Sequence, residues 1–518
     1  MSTKSLFKNT IVVGFITLIS RVSGLFRDLF VAKYLGAGKL ADCFLIAFKI
    51  PNLFRSIFAE GAFNSAFVPI FSGVLYEDSK HKAKIFCKNL FAFLFYILLV
   101  FTLIAEIFMP YMIDIFAPGF KEDGDKFAFA ISLARITFPF LFSIAITSFF
   151  GSILNTLGHF KPYASTPIIL NLCMIFALIT FSNFMPTAAH AVSWGVAIAG
   201  VLQLVILWWI AKKYGFGVVS FKPKFSPEIG LFFKKILPGI LGAGIYHLNV
   251  MIGSIFASET NGAVSWIYYA DRLNQLPLGV IGVALATVLL PSLSKEVKKR
   301  NWNKTKLLFN KSMKFASILV IPSAFGIIAI SYPLIQIFFE RGAFVASDTY
   351  ATSEILQILC LSLPALVYTK LFADVFYARN DTKTPMLIAG ISMIANFSLT
   401  MYLNKILGYI GIVISVTISN WINFILLYIV SYLKNFMIMY KKIVNSILKI
   451  TIISILMAMI VRFGVLGLMA EITVYSFTLK LLSIILLIII GGIFYITGII
   501  LTNVLSVQDI KRILKRKK

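Results

Sequence analysis

The sequence predicts an all-α, polytopic membrane protein with about 14 transmembrane helices, at roughly 35 residues for each span and its loop. Three observations carry that prediction. Of the 518 residues, 59% are hydrophobic and 13% are charged, with a mean hydropathy of +0.91. A soluble chain runs at about 45–50% apolar and about 25% charged. Apolar runs of about 20 residues, enough to cross a bilayer core, recur along the whole chain. Basic residues crowd into alternate loops between those runs. Together these exclude a soluble globular enzyme, a disordered chain and a secreted disulfide scaffold.

The expected spans, in order, are 9–32, 40–73, 86–113, 127–156, 164–184, 189–211 and 230–257, then 263–294, 307–334, 350–378, 385–403, 408–433, 443–468 and 473–503. The first is not a cleaved leader, because Arg21 and Arg27 lie inside it and no small-residue cleavage site follows. The second is interrupted by Pro51-Asn52, which predicts a kink. One set of loops holds Lys80, Lys82, Lys84 and Lys88, then Lys212, Lys213, Lys222 and Lys224, then Lys295 to Lys306, and ends in the basic tail from Lys511. The opposite set holds few bases: Lys33, Lys39, Lys121, Lys126, Arg341 and Lys405. By the positive-inside rule both termini face the cytoplasm.

The net charge of +27 is read mainly as topology signal, so no nucleic-acid partner is expected. The cysteines (Cys43, Cys87, Cys173, Cys360) and the histidines (His81, His159, His190, His247) are scattered. No metal spacing, catalytic triad or phosphate-binding glycine loop is present. No enzyme activity, cofactor or metal is therefore expected.

A weak internal repeat organises the chain. Pro69-Ile70-Phe71-Ser72 and Pro291-Ser292-Leu293-Ser294 stand 222 residues apart, as do Ala62 and Ala284, and Lys161 and Lys383. This predicts two pseudo-symmetric six-helix lobes, 1–224 and 225–440, with two further helices and the basic tail over 441–518. Six spans is an even number, so the lobes are parallel, as in transporters whose substrate path runs between halves.

Charges inside spans are the most informative residues, since each costs about 2.5–3.5 kcal/mol at mid-span on insertion scales. Span one carries Arg21, Arg27 and Asp28; span two carries Asp42, Lys49, Arg55 and Glu60; span eight carries Asp271-Arg272. Some of these pair: the spacing suggests Arg21 with Asp28, Lys49 with Asp42 or Glu60, and Arg272 with Asp271. Arginine is left in excess near mid-depth, at Arg21 and Arg55. A wet cavity with excess arginine calls for an anionic ligand, and guanidinium favours bidentate contact with phosphate. The residues alone therefore indicate a two-lobed transporter with a cationic cavity for a phosphorylated or acidic substrate.

The motifs themselves are recognisable. Ser20-Arg21-Val22-Ser23-Gly24-Leu25-Phe26-Arg27-Asp28 resembles the start of the MurJ (MviN) lipid II flippases, as do Gly36-Ala37-Gly38 and the Ala41-Asp42 after it. The likeness continues through Phe48-Lys49-Ile50-Pro51-Asn52-Leu53-Phe54-Arg55, Ile57-Phe58-Ala59-Glu60-Gly61-Ala62-Phe63 and Ala66-Phe67-Val68-Pro69. Ala117-Pro118-Gly119-Phe120, Val264-Ser265-Trp266, Tyr268-Tyr269-Ala270-Asp271-Arg272-Leu273 and Leu290-Pro291-Ser292-Leu293-Ser294 extend it over most of the chain.

The resemblance implies the fold of the multidrug/oligosaccharidyl-lipid/polysaccharide exporter superfamily. It implies movement of lipid II, an undecaprenyl-pyrophosphate-linked peptidoglycan precursor, across a bacterial inner membrane by alternating access. It implies substrate-binding roles for Arg21, Arg27, Arg55, Arg272, Asp42, Ser20 and Ser265, and gating or helix-pairing roles for Lys49, Glu60, Asp28 and Asp271. Membrane lipid and the cell-wall synthesis machinery are the partners implied, and a monomer is expected. Some members bind sodium in the second half. Here Tyr246, His247, Asn249, Asn396 and Thr400 come without an acid, so no sodium site is expected. Asp374 is expected to be solvated near the cytoplasmic end of span ten. The rival readings are an exporter of another lipid-linked anionic oligosaccharide, and a multidrug antiporter of the same superfamily, which would want acids rather than arginines in its cavity.

Overall fold

The computed structural model describes residues 3–56, 62–437, 439–472 and 477–505, and among them there is no β-strand. The first half contains α1 (Thr3–Leu35), α2 (Lys39–Arg55), α3 (Ala62–Gly73), α4 (Lys80–Ile107), α5 (Met109–Phe116), α6 (Gly124–Thr137), α7 (Phe140–Thr156), α8 (Lys161–Ala164), α9 (Thr166–Phe181) and α10 (Ala188–Lys213). The second contains α11 (Pro227–Ala257), α12 (Ala263–Lys298), α13 (Trp302–Phe339), α14 (Ala346–Cys360), α15 (Leu363–Tyr377), α16 (Lys383–Leu407) and α17 (Tyr409–Leu433). Two more follow, α18 (Lys441–Ile472) and α19 (Phe477–Leu501).

Length and composition alone qualify ten helical segments among the described residues as membrane spans. They are 80–107, 124–156, 161–181, 188–213, 302–339, 346–377, 383–407, 409–433, 441–467 and 477–501. The expected spans 9–32, 40–73, 230–257 and 263–294 fall on α1, α2 with α3, α11 and α12. α1, α11 and α12 run 33, 31 and 36 residues. Pro51 does not interrupt the helix as expected: α2 continues through it to Arg55.

The helix bounds repeat at the offset found in the sequence. Displaced by 222 residues, the starts of α4 at Lys80 and α6 at Gly124 fall on those of α13 at Trp302 and α14 at Ala346. The broken pair α6 and α7, parted at Phe138-Pro139, has its counterpart in α14 and α15, parted at Leu361-Ser362 ahead of Pro364. Proline cannot donate to the helix ladder, and both breaks exploit that.

The chain forms two compact units, one of residues 1–265 with 341–344, the other of 266–340 with 345–518. In the first, α1 packs on α9, α2 on α6, α3 on α11, and α10 on both α7 and α9. Phenylalanines dominate its core: Phe67 stacks on Phe71 and Phe86 at 5.2 and 5.9 Å, and Phe149 meets Phe63, Phe67 and Phe91. Such pairs add about 0.5–1.5 kcal/mol each beyond burial. In the second, α13 packs on α14, α18 and α19, and α16 on α17.

The loop over 341–344 belongs to the first unit because it docks on the end of α1, where the Ala343 amide donates to the Lys33 carbonyl at 2.9 Å. Gly36 and Gly342 have φ of +68° and +63°, and a Cβ on either would lie 2.5 or 2.3 Å from a carbonyl oxygen of the other segment. Only glycine fits both the backbone angle and that approach.

Candidate functional site

The intramembrane charges of the first unit sort into a buried knot, a helix clamp and exposed or half-exposed arginine. The knot centres on Asp42 in the first turn of α2, which has no exposed surface. Its Oδ2 accepts from Lys126 Nζ at 3.0 Å and from the Gly262 amide at 2.8 Å. Its Oδ1 accepts from the Ser265 amide at 3.0 Å and the Ser265 hydroxyl at 2.6 Å. Ser265 is likewise fully buried. Lys126 also donates to Asn261 Oδ1 at 3.0 Å and lies 4.4 Å from the Phe120 ring centroid. A carboxylate stripped of water is tolerable only with its lone pairs filled and its charge matched, and this arrangement does both.

Local structure aims Lys126. Asp123 caps α6, its side chain accepting from the Lys126 amide at 3.0 Å, so the lysine leaves the first turn towards α2. That amide, and then the Lys39 ammonium at 3.1 Å, hold the Asp123 carboxyl below the usual carboxylate range. The expected partner of Asp42 was Lys49 on its own helix; the structure gives Lys126 instead. Seven residues place two side chains on one face but about 10.5 Å apart along the axis. Lys49 donates to Ser254 on α11. Glu60, the other expected partner, lies outside the described residues.

The clamp joins α1 to α9. Arg27, 7% exposed, bonds the neighbouring Asp28 through Nε at 2.9 Å and Nη2 at 2.6 Å, and donates through Nη1 to Asn171 Oδ1 at 3.1 Å. Asn171 in turn donates to Ser23 Oγ at 2.9 Å and to the Ser20 carbonyl at 3.2 Å. The partner of Asp28 is thus Arg27, not the expected Arg21, for the same reason of axial distance. Arg21 is exposed on α1, and among the described residues no carboxylate lies within ion-pair reach of it. Arg55 is half-buried in the last turn of α2, its Nε on Asn52 Oδ1 at 3.1 Å.

In the second unit, Arg272 lies half-buried on α12, donating to the Tyr268 hydroxyl at 2.8 Å with its guanidinium 4.6 Å from that ring. Asp271 accepts from Gln275 one turn on. Asp374 is not solvated: it is 7% exposed, and its Oδ2 is buried without a hydrogen-bond partner. Asn396 and Thr400 are both buried, the threonine hydroxyl 3.4 Å from Asn396 Oδ1. Among the described residues no group of three or more His, Cys, Asp or Glu is placed to hold a metal ion.

Sequence reasoning missed Lys126 and Asn171. Lys126 was counted as a loop lysine, one residue short of the expected span 127–156. Asn171 is an uncharged amide within an apolar run, and an intramembrane amide with no polar neighbour in sequence is itself a signal.

A helical membrane protein of this architecture, with paired charge buried among its helices, has the fold of the multidrug-exporter class of transporters. Solved structures agree. A multidrug resistance MATE family transporter of the MOP superfamily, in an inward-facing conformation, superposes with a TM-score of 0.67 at 15% identity, over 82% of this chain and 97% of that one. A lipid II flippase MurJ in an inward closed conformation superposes with a TM-score of 0.77 at 27% identity, over 94% and 100%. The family model for lipid II flippase MurJ matches residues 31–485. A probable lipid II flippase MurJ of Rhizobium tropici is 39% identical over 432 residues, 83% of this chain and 81% of that one. One of Rickettsia prowazekii is 36% identical over 424 residues, 82% and 83%. The chain belongs to the MurJ family of lipid II flippases.

Proposed function

We propose that the protein moves lipid II from the cytoplasmic to the periplasmic leaflet of a bacterial inner membrane, with both termini cytoplasmic. Family membership over residues 31–485 is the observation that carries this reading. The physical need is plain: a pyrophosphate and a polar headgroup cannot cross hydrocarbon unaided. No bond is made or broken, so the protein acts without catalytic residues. Its task is to replace the hydration of the phosphates while the polyprenyl tail stays in lipid.

Arg21 takes the leading role at the headgroup, since it is exposed and uncommitted to a carboxylate. Arg55 and Arg272 are the further arginines assigned to substrate contact; Arg55 donates to Asn52 and Arg272 to Tyr268, each one turn away on its own helix. Arg27 serves from behind, its paired charge fixing α1 on α9. Ser20 lies beside it, its carbonyl held by Asn171. Asp42 and Ser265 act as a releasable tie: the carboxylate holds the turn before α12 against α2 and α6, and alternating access opens that tie in each cycle. The six-span repeat, recurring at 222 residues in sequence and helix bounds, supports the alternating movement of two halves.

Binding tests the site directly. Purified protein in lipid nanodiscs is titrated with lipid II, and with undecaprenyl phosphate as competitor. The wild type is expected to prefer lipid II, and Arg21→Ala to bind it about tenfold more weakly, the loss of one charge-assisted contact. Equal affinity in the two proteins would remove Arg21 from the site. No preference for lipid II in the wild type would favour another lipid-linked anion.

A further inference from the structure

The first unit holds a cleft of about 320 Å³ at the end of α10 and the start of α4. Its floor is apolar, formed by Leu75, Leu157 and Phe216. Lys80, His159 and Tyr214 stand at its rim, the two rings stacked with centroids 3.9 Å apart. The turn after α10 is shaped to admit cations. Gly215 has φ of +84°, and a Cβ there would lie 3.6 Å from Lys80 Nζ and 3.7 Å from Lys84 Nζ. Two ammonium groups one helical turn apart thus converge on one bare stretch of backbone.

Among the described residues their charge is not matched by a carboxylate. The nearby Asp78 is already paired with Lys82 at 2.9 Å. Among the described residues neither Lys80 nor Lys84 has a carboxylate within ion-pair reach. The carbonyls closing α10 offset part of the charge, and the positive N-terminal end of α4 adds to it.

Depth can be read from the neighbouring aromatics. Lys212 and Lys213 lie over Trp208 and Trp209, with Nζ 5.2 and 3.3 Å from the ring centroids. Tryptophan capped by lysine marks the headgroup level of a bilayer, and Tyr214 follows directly. One residue beyond Lys84, Ile85 is exposed, and past a buried stretch at 89–92 α4 is exposed again at Tyr96, Ile97 and Val100.

We propose that this cleft binds the phosphate of an anionic glycerophospholipid, which stays in place as a fixed neighbour of the first lobe rather than being transported. Lys80 and Lys84 hold the phosphate, the His159–Tyr214 stack covers it, and the acyl chains follow the apolar face of α4. A free phosphate would gain nothing from the apolar floor, whereas the glycerol and first methylenes of a lipid fill it.

Full-length protein in neutral detergent is titrated with phosphatidylglycerol, phosphatidylcholine or inorganic phosphate, and the melting temperature is followed. Phosphatidylglycerol is expected to protect where phosphatidylcholine and phosphate do not. In Lys80→Gln/Lys84→Gln the half-protecting concentration should rise about thirtyfold, taking each lysine at the membrane surface at its usual strength. Lys80→Arg/Lys84→Arg should retain protection. Lys222→Gln/Lys224→Gln, which removes the same charge elsewhere, should leave it intact. Equal loss in both glutamine pairs would reduce the effect to general surface charge and overturn the site. Protection by phosphate alone would overturn the lipid. Should the glutamine pair not fold, a photoreactive phosphatidylglycerol on the wild type decides: labelling within 75–84, 157–161 and 214–216 supports the proposal, and labelling only elsewhere overturns it. Lipid II binding by the glutamine pair is expected to match the wild type, which separates this site from the transport reading.

Discussion

Two places in the molecule, related by the internal repeat, solve one problem with opposite charge. In the first unit, Lys126 is the third residue of α6; in the second, Asp348 is the third residue of α14, 222 positions later. Both are buried. Lys126 reaches across to the carboxylate of Asp42, so two full charges meet in a dry place. Two of the donors to Asp348 are neutral: its Oδ1 takes the Trp266 indole at 2.9 Å, and its Oδ2 takes the Val345 amide at 3.1 Å. Even the helix starts differ accordingly. The side chain of Asp123 caps α6 and frees Lys126, whereas Asp348 folds back to cap α14 itself.

The difference lies in what each contact loses when it opens. A buried ion pair broken by removing one partner strands a charge, at about 3–5 kcal/mol. A lost hydrogen bond to a charged group costs about 1.5–3 kcal/mol. The first arrangement suits a tie that holds firmly when shut and reopens only when both charges are wetted together; the second suits a permanent brace.

The largest effect should come from Lys126→Met, which leaves the Asp42 carboxylate buried and unmatched. A loss of about 3–5 kcal/mol is expected in chemical unfolding of the purified protein. The charge-swapped pair, Asp42→Lys with Lys126→Asp, sharpens the point. It should not restore stability, because the Gly262 amide and the Ser265 amide and hydroxyl require an acceptor at position 42. Recovery to wild-type stability would show that charge matching alone matters there. Next in size, Trp266→Phe should cost about 1.5–3 kcal/mol by removing the indole donor from Asp348 while keeping an aromatic ring. A loss as large as that of Lys126→Met would erase the contrast between the two sites.

Asn171→Ala should weaken the α1–α9 clamp by about 1–3 kcal/mol, since Arg27 Nη1 and Ser23 lose a buried partner. The smallest effect belongs to a surface pair. Lys434 bonds Asp381 at 2.9 Å, and it and the Thr384 amide bring that carboxyl from 3.8 down to about 2. A carboxyl lowered on folding stabilises above its unfolded value and stops doing so as pH falls through its folded one. Asp381→Asn should therefore cost under about 1 kcal/mol at neutral pH, screened as surface pairs are. The gap between mutant and wild type should close between about pH 4 and pH 2. A gap that persists at pH 2 would assign it to packing instead.

Much of this was legible in the sequence, for physical reasons. Apolar length reports a span, and the 222-residue offset survives because turns and prolines recur where helices must end. The charges that fall inside expected spans were legible too, since charge inside hydrocarbon is costly enough to stand out. Their partners were not. Arg21 with Asp28, and Asp42 with Lys49, were paired by helical face, which fixes azimuth but ignores rise. The observed partners come from an adjacent residue, as for Arg27, or from another helix, as for Lys126 and Asn171. Only tertiary structure supplies the latter. Asp374 shows the converse failure: a carboxylate near a span's end invites a solvated reading, yet packing in the second unit buries it.

The central claim is that this chain moves lipid II by way of exposed arginine, and accessibility of lipid II at the outer surface tests it most directly. Cells depleted of their own flippase carry either the wild-type chain or Arg21→Ala, at matched membrane levels. An externally added enzyme that cleaves the lipid II headgroup then reports what has crossed. The account predicts cleavage restored by the wild type and reduced at least tenfold by Arg21→Ala. A wild-type chain that inserts normally yet restores no cleavage, or a mutant that restores it fully, would contradict the account.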